Sequence, residues 1–211
     1  MADLPYEHRM RAGPRGYLLL VLRAADFAAQ RHQGQRRKGR TKRPYIGHCM
    51  EVALMIADIA KSDDPTIISA AILHDVIEDT DTTREELSEA FGERVADFVS
   101  QVTDDKSLPK DERKKLQVEH APHLSPAAKL IKLADKISNV REIASDPPKG
   151  WSRKRQEKYF KWAKKVVDAL GRVNPELEKL FDEIVGDALA KVEAKKKTAD
   201  TGVSDSPDGE L

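Results

Sequence analysis

The sequence predicts an all-α protein, a bundle of roughly nine to ten helices. Three observations predict it. Apolar residues recur at three-to-four spacing through segment after segment. Proline, glycine and short polar capping residues punctuate those segments, and none shows sustained strand alternation. Charged residues make up 35% and aromatic residues 5% of the 211-residue chain, a composition that suits solvated helices and disfavours a β-sandwich. At this length about 70% of the unfolded surface can be buried, so folding needs neither a disulfide nor a structural metal.

From Tyr17 to Gln30, the residues Leu18, Leu22, Ala25 and Ala29 share a face that Phe27 and Ala28 widen. This predicts an amphipathic helix that buries that stripe and stops before Gly34. The next helix runs from about His48 to Ala60, with Val52, Ile56 and Ile59 or Ala60 on one side. Asp64 and Pro65 supply an N-cap and a proline at the first helical position. They open a nearly apolar helix through Ile67, Ile68, Ala70, Ala71, Ile72 and Leu73, which must be central. Thr82 with Glu85, or Thr83 with Glu86, makes a capping box for a helix to about Phe91, which Gly92 ends. A short helix carries Val95, Phe98, Val99 and Val102, and after a loop over Asp104–Pro109 the stretch Lys110–Glu119 is a charged helical run. Ser125 and Pro126 start a long helix that buries Ala127, Leu130, Leu133, Ala134, Ile137 and Val140. Trp151–Leu170 is the next helix, and Asn174-Pro175 begins the last.

One folded domain over 17–192 is expected, with an N-terminal extension over 1–16 and a tail over 193–211. From about Lys195 the chain has almost no large apolar residue, cannot offset its ordering entropy and is expected to be disordered. The 37 Lys and Arg balance 36 Asp and Glu, which leaves no global field toward nucleic acid or an anionic membrane. Any anion site must be local. Cys49 is the one cysteine, which excludes an internal disulfide and a zinc ribbon and suits a small buried side chain. The apolar stretch Tyr17–Leu22 is far shorter than the ~20 residues that span a bilayer, and no cleavage-site pattern follows it. A soluble, cytoplasmic protein is expected.

The chemistry is carried by His74-Asp75-Val76-Ile77-Glu78-Asp79, read as the C-terminal turns of the most apolar helix. Carboxylates there are costly unless they are paired or bind a metal. Glu78 stands one turn beyond His74 and Asp79 one turn beyond Asp75, so water would be held between a ligand pair and an acid/base pair. The competing reading is a helix end with solvated side chains. His48, after the turn-like Pro44-Tyr45-Ile46-Gly47, reads alone as a helix cap or a core histidine, and Asp135 reads alone as an ion-pair partner of Lys132 or Lys136. Together, two imidazoles and two carboxylates from three helices make a mixed N/O site with open positions, which suits Mn²⁺ or Fe²⁺.

His48, His74-Asp75 and Asp135 resemble the H…HD…D signature of the HD hydrolase superfamily. Within it, Arg36-Arg37-Lys38, Pro44 to His48, Leu73 to Thr80, Val102 to Gln117 and Lys132 to Arg141 resemble the small alarmone hydrolases. These are single-domain relatives of the hydrolase half of RelA/SpoT enzymes and include the animal SpoT homologue. The resemblance runs from about Ala24 to Leu170. It implies an all-helical HD domain that binds Mn²⁺ and removes the 3′-pyrophosphate from ppGpp or pppGpp, yielding GDP or GTP.

The same resemblance implies roles for single residues. Glu78 and Asp79 match the family's Glu-Asp pair that positions or deprotonates the attacking water. Asn139, in Asp135-Lys136-Ile137-Ser138-Asn139, matches an Asn that holds substrate. Gly47 stands where many relatives have Asn. Arg37 and Lys38 align with the family's base-and-phosphate loop, Tyr45 is counted among the substrate contacts, and Tyr159 matches a nucleotide-contacting tyrosine. Arg155, one turn before Tyr159, could face the same ligand, and either could instead pack between helices, while Trp151 and Trp162 are expected in the core. Residues 31–43 hold seven Lys and Arg, and the lack of interleaved aromatics argues against RNA as the main ligand.

Two other functions stay open at this level. One is an HD phosphohydrolase acting on the 2′-phosphate of NADPH or on adenine alarmones, and the other is a non-catalytic nucleotide-binding regulator. Oligomeric state is also open, a homo-oligomer included.

Overall fold

The computed structural model describes residues 13–200. Residues 1–12 of the expected extension and 201–211 of the expected tail lie outside the described residues. Among the described residues the chain forms α1 (Pro14–Arg31), α2 (Ile46–Asp58), α3 (Pro65–Leu73), α4 (Val76–Asp79) and α5 (Arg84–Phe91). It continues as α6 (Glu93–Val102), α7 (Lys110–His120), α8 (Pro126–Ser145), α9 (Arg153–Leu170) and α10 (Pro175–Asp200), with a 3-10 turn over Ala121–His123. Among these residues an isolated bridge between Arg36 and Pro44 is the nearest approach to a strand. The all-α prediction holds.

Helix starts follow the capping chemistry. The Asp64 carboxylate accepts from the Thr66 amide at 2.8 Å and opens α3, while the Ser125 hydroxyl accepts from the Ala128 amide and opens α8. Of the two possible capping registers before α5, Thr83 is the one used, with its Oγ1 accepting from the Glu86 amide at 3.1 Å. Gly92, at φ 88°, both ends α5 and begins α6. That left-handed backbone favours glycine.

α3 lies at the centre, packed on α1, α2, α6 and α8, and α8 in turn packs on α2, α6, α9 and α10. Ala70, Ala71, Ile72 and Leu73 are buried on every side, each large aliphatic contributing about 1.5–3 kcal/mol. Small alanines let the neighbouring helices approach the segment that carries the site.

Two expectations are corrected. In α1 the buried residues are Leu20, Ala24, Phe27 and Ala28, whereas Leu18 and Leu22 are 60% and 54% exposed. Phe27 sets this rotation by packing edge-on against Phe91, ring centroids 5.3 Å apart, which turns the Leu18 stripe outward. The apolar helix also ends at Leu73, before His74-Asp75. In addition, α10 continues to Asp200, past residue 193, where the expected tail begins.

Candidate active site

His74 and Asp75 sit at a bend between α3 and α4. The cause is local: the His74 Nδ1–H donates to the Ala71 carbonyl at 2.8 Å, the acceptor that the Asp75 amide would use in a continuing helix. Asp75 settles at φ −104°, ψ −1°. The Asp79 amide still donates to the Asp75 carbonyl at 2.8 Å, so Asp79 keeps its position one turn beyond Asp75.

Each imidazole has one nitrogen committed. A backbone carbonyl only accepts, so His74 carries its hydrogen on Nδ1 and turns a lone pair outward on Nε2. For His48 the Ser138 hydroxyl donates to Glu51 Oε2 at 2.7 Å, so it accepts from His48 Nδ1–H at 2.9 Å. Arg141 in turn donates to Glu51 at 2.6 Å. Both Nε2 atoms are buried and without a hydrogen-bond partner. They lie 3.3 and 3.8 Å from Asp135 Oδ1 and 3.6 and 2.9 Å from Asp75 Oδ2. Donor atoms of His48, His74 and Asp135 all fall within 4.8 Å of one another. Asp75 borders this trio and accepts from the Tyr45 hydroxyl at 2.6 Å.

Burial works against charge here, yet charge persists. His74 and His48 hold the Asp75 carboxyl, and Lys136 with both imidazoles holds that of Asp135, well below the usual carboxylate range. Burial disfavours the His74 imidazolium, but Asp75 and Asp135 outweigh it and push this group up to about 10. A pocket that so favours positive charge beside two orphaned lone pairs fits a divalent cation, which would take the place of that proton.

Glu78 and Asp79 follow on α4. Glu78 accepts from the Asp104 amide at 3.1 Å, and burial, with the Asp75 and Asp104 charges, pushes its carboxyl up to about 7. Asp79 forms an ion pair with Lys106. Glu78 lines a cavity of about 270 Å³ that His74, Asp75 and Asp135 also line, and Asp79 lines both this and a second cavity of about 530 Å³. Lys38, Tyr45 and Asn139 also line both, so the two are continuous.

Arg37 is held tightly, donating to Glu142 and, at 2.8 Å, to Asn139 Oδ1, while the Asn139 amide donates to Asp135. Tyr159 lines the larger cavity and packs between Trp151 and Trp162 at 5.9 and 5.3 Å. Trp151 and Trp162 are half-buried and line that cavity, a correction to the expected core placement. Their rings form one wall of a space that helix packing leaves open. Arg155 is exposed and lines neither cavity itself, but it stands 4.4 Å over the ring of Trp151, which lines the larger one. A Cβ at Gly47 would meet nothing within 4 Å, so packing does not require glycine there.

Several lining residues were not singled out from the sequence. Lys110, Arg113 and Lys114 on α7 face the larger cavity. Burial, with the Arg155, Lys38 and Arg113 charges, lowers the pKa of Lys110, and burial, with the Lys110, Lys136 and Arg155 charges, lowers that of Lys114. Their i, i+3, i+4 spacing within a charged run was the available signal. Lys132, buried, donates to the Val102 carbonyl at 2.7 Å.

A helical bundle that brings a histidine from α2, a histidine and an aspartate from the bend after α3, and an aspartate from α8 into one cluster is the kind of protein the HD-domain family comprises. That family matches residues 24–164, and this chain belongs to it. Over 164 residues it is 51% identical to the human guanosine-3′,5′-bis(diphosphate) 3′-pyrophosphohydrolase MESH1, covering 78% of this chain and 92% of that one. The Xenopus tropicalis protein of the same name is 49% identical over 168 residues, covering 80% and 94%. A solved structure described as a metazoan ortholog of SpoT that hydrolyzes ppGpp superimposes with a TM-score of 0.79 at 43% identity, covering 84% of this chain and 98% of that one.

Proposed function

We propose that the chain is a metal-dependent hydrolase that removes the 3′-pyrophosphate from guanosine 3′,5′-bis(diphosphate) and its pentaphosphate analogue, leaving GDP or GTP. The observation that carries this reading is the pair of buried, unpartnered imidazole Nε2 atoms at the floor of a chamber continuous with a cation-rimmed, ring-walled one. The similarity to MESH1 proteins over most of both chains supports the substrate.

His48, His74, Asp75 and Asp135 would hold the cation, and their mixed N/O chemistry suits Mn²⁺ or Fe²⁺. Bound there, such a cation lowers the pKa of water and polarises a phosphoryl oxygen. The chain's own groups do the rest. Glu78, in the inner chamber and poised near neutrality, takes the proton from water attacking the phosphorus attached to the ribose 3′ oxygen. That P–O bond breaks, the pyrophosphate leaves, and the proton Glu78 took from water passes to the departing 3′ oxygen at the junction of the chambers, which Asp79 lines. Lys38, Lys110, Arg113 and Lys114 meet the phosphates, and Trp151, Tyr159 and Trp162 offer ring faces to the base. Asn139 and Tyr45 orient ligands as well as bordering substrate. Among the described residues no helix is long and apolar enough to cross a membrane, and the cytoplasmic setting expected from the sequence belongs to this proposal.

The test is product identification. Protein loaded with Mn²⁺ releases GDP and intact pyrophosphate from ppGpp, and chelated protein is inert. Release of single phosphates, or no turnover when metal-replete, would overturn the assignment.

A further inference from the structure

We infer that His32 and Gln35 are positioning residues that hold both ends of α4, the short helix carrying Glu78 and Asp79; the catalytic part of this inference rests on the function proposed above. α4 has four residues, too few to be stable by itself, because nucleating a helix costs more than one turn of hydrogen bonds returns. Its placement must come from outside.

The far end is held by a side chain. Gln35 Nε2 donates to the Asp79 carbonyl at 2.8 Å from a position 44 residues earlier, satisfying one of the carbonyls a helix end leaves open. A carbonyl only accepts, so this bond fixes which way the Gln35 amide points. Its Oε1 must then accept from His32 Nδ1–H, 2.9 Å away. His32 is 3% exposed, and its remaining nitrogen, Nε2, is buried with no hydrogen-bond partner. Leaving a buried nitrogen unpartnered is a cost that an aliphatic side chain would avoid. An imidazole kept at that cost supplies something a hydrocarbon cannot, namely the Nδ1–H that orients Gln35.

The near end is held through Tyr45. The Gln35 carbonyl accepts from the Tyr45 amide at 3.1 Å, and the His32 ring packs on the Tyr45 ring at 4.9 Å. Tyr45 Oη then donates to Asp75, the residue that begins α4. One pair of residues in the turn after α1 thus grips α4 at Asp79 directly and at Asp75 through Tyr45.

His32→Leu, His32→Asn and Gln35→Met test this, because Asn Nδ2 can stand in for His Nδ1 whereas Leu cannot. The Leu and Met variants should lose about 10- to 100-fold in kcat, the scale on which small misplacements act. KM should stay within about threefold and Mn²⁺ content should match the wild type, while His32→Asn recovers most of kcat. Amide exchange at Asp79 and Thr80, which bond the Asp75 and Val76 carbonyls within α4, should quicken in the Leu and Met variants whether or not the protein turns over ppGpp. Unchanged exchange overturns the bracket. So does a KM rise at constant kcat, a loss of activity that tracks metal content, or an Asn variant as poor as Leu. A wild type inert toward ppGpp overturns the functional reading, and the exchange measurement still decides the bracket.

Discussion

The Tyr45 hydroxyl donates to Asp75 Oδ2 at 2.6 Å. Burial and the nearby Asp75 and Asp79 charges raise the Tyr45 pKa far above its ordinary value, so this group acts only as a donor. It orients a carboxylate that would otherwise rotate freely toward either imidazole. Tyr45→Phe should fold normally and weaken metal affinity about 10–100-fold, the usual scale for loss of a partner behind a metal ligand. Titration against a competing chelator measures this, and an unchanged affinity would remove Tyr45 from the support of the site.

Glu78→Gln should retain metal and lose about 10²–10⁴-fold in turnover, whereas Asp75→Ala should lose the metal. The same variant carries a pH signature in chelated protein. Burial, with Asp75 and Asp104, raises the Glu78 carboxyl from 4.5 to about 7, so its ionised form opposes folding. That penalty is absent below pH 4.5, grows between 4.5 and 7 and is complete above 7. Metal-free Glu78→Gln should therefore gain stability over metal-free wild type at pH 8, on the order of 1–3 kcal/mol, and show little gain at pH 4. Paired thermal melts at the two pH values check the sign.

Asp146 clasps the basic loop to the end of α8. Its carboxylate accepts from the Thr41 hydroxyl at 2.6 Å and from the Thr41 and Arg40 amides at 3.0 and 2.9 Å, and these bonds hold it down at about 2. A Cβ at Gly39 would lie 2.9 Å from the Asp146 carbonyl oxygen. Asp146→Ala and Gly39→Ala should both raise KM for ppGpp several-fold without altering metal content. Because the folded pKa is depressed, the clasp is intact above the unfolded value of 3.8 and weakens as pH falls toward 2. Steady-state kinetics beside metal analysis would show whether the loop alone is affected.

Arg37 and Glu142 form an ion pair with side chains only 11% and 8% exposed. Arg37→Met leaves a buried carboxylate without its main partner and should cost about 3–5 kcal/mol. The double variant Arg37→Met/Glu142→Leu should be more stable than Arg37→Met alone. Denaturant melts of the four-member cycle measure the coupling. A stability loss under about 1 kcal/mol in Arg37→Met would overturn the structural role of this pair, while Arg37, which also lines the larger cavity, keeps its proposed place beside the substrate.

Local physics carried much of this protein. Capping at Asp64, Thr83 and Ser125, the glycine after Phe91 and the helical periodicity depend on neighbours a turn away, so the sequence alone determined the helices. It also singled out His48, His74-Asp75 and Asp135 as candidate ligands, because they form a readable pattern within a chain that resembles a known family, and the structure brings these residues together. Tertiary packing decided what periodicity could not. Leu18 and Leu20 both sit in an apolar helix, and the contact of Phe27 with Phe91 determined which of them is buried. The bend after Leu73 is local, since His74 bonds to Ala71 three residues back, but it rests on a side-chain contact that apolar periodicity does not encode. The two Nε2 atoms meet the carboxylates, and Arg37 meets Glu142, across 105 residues in the latter case, because such contacts depend on where helices cross. No spacing within one segment encodes that crossing.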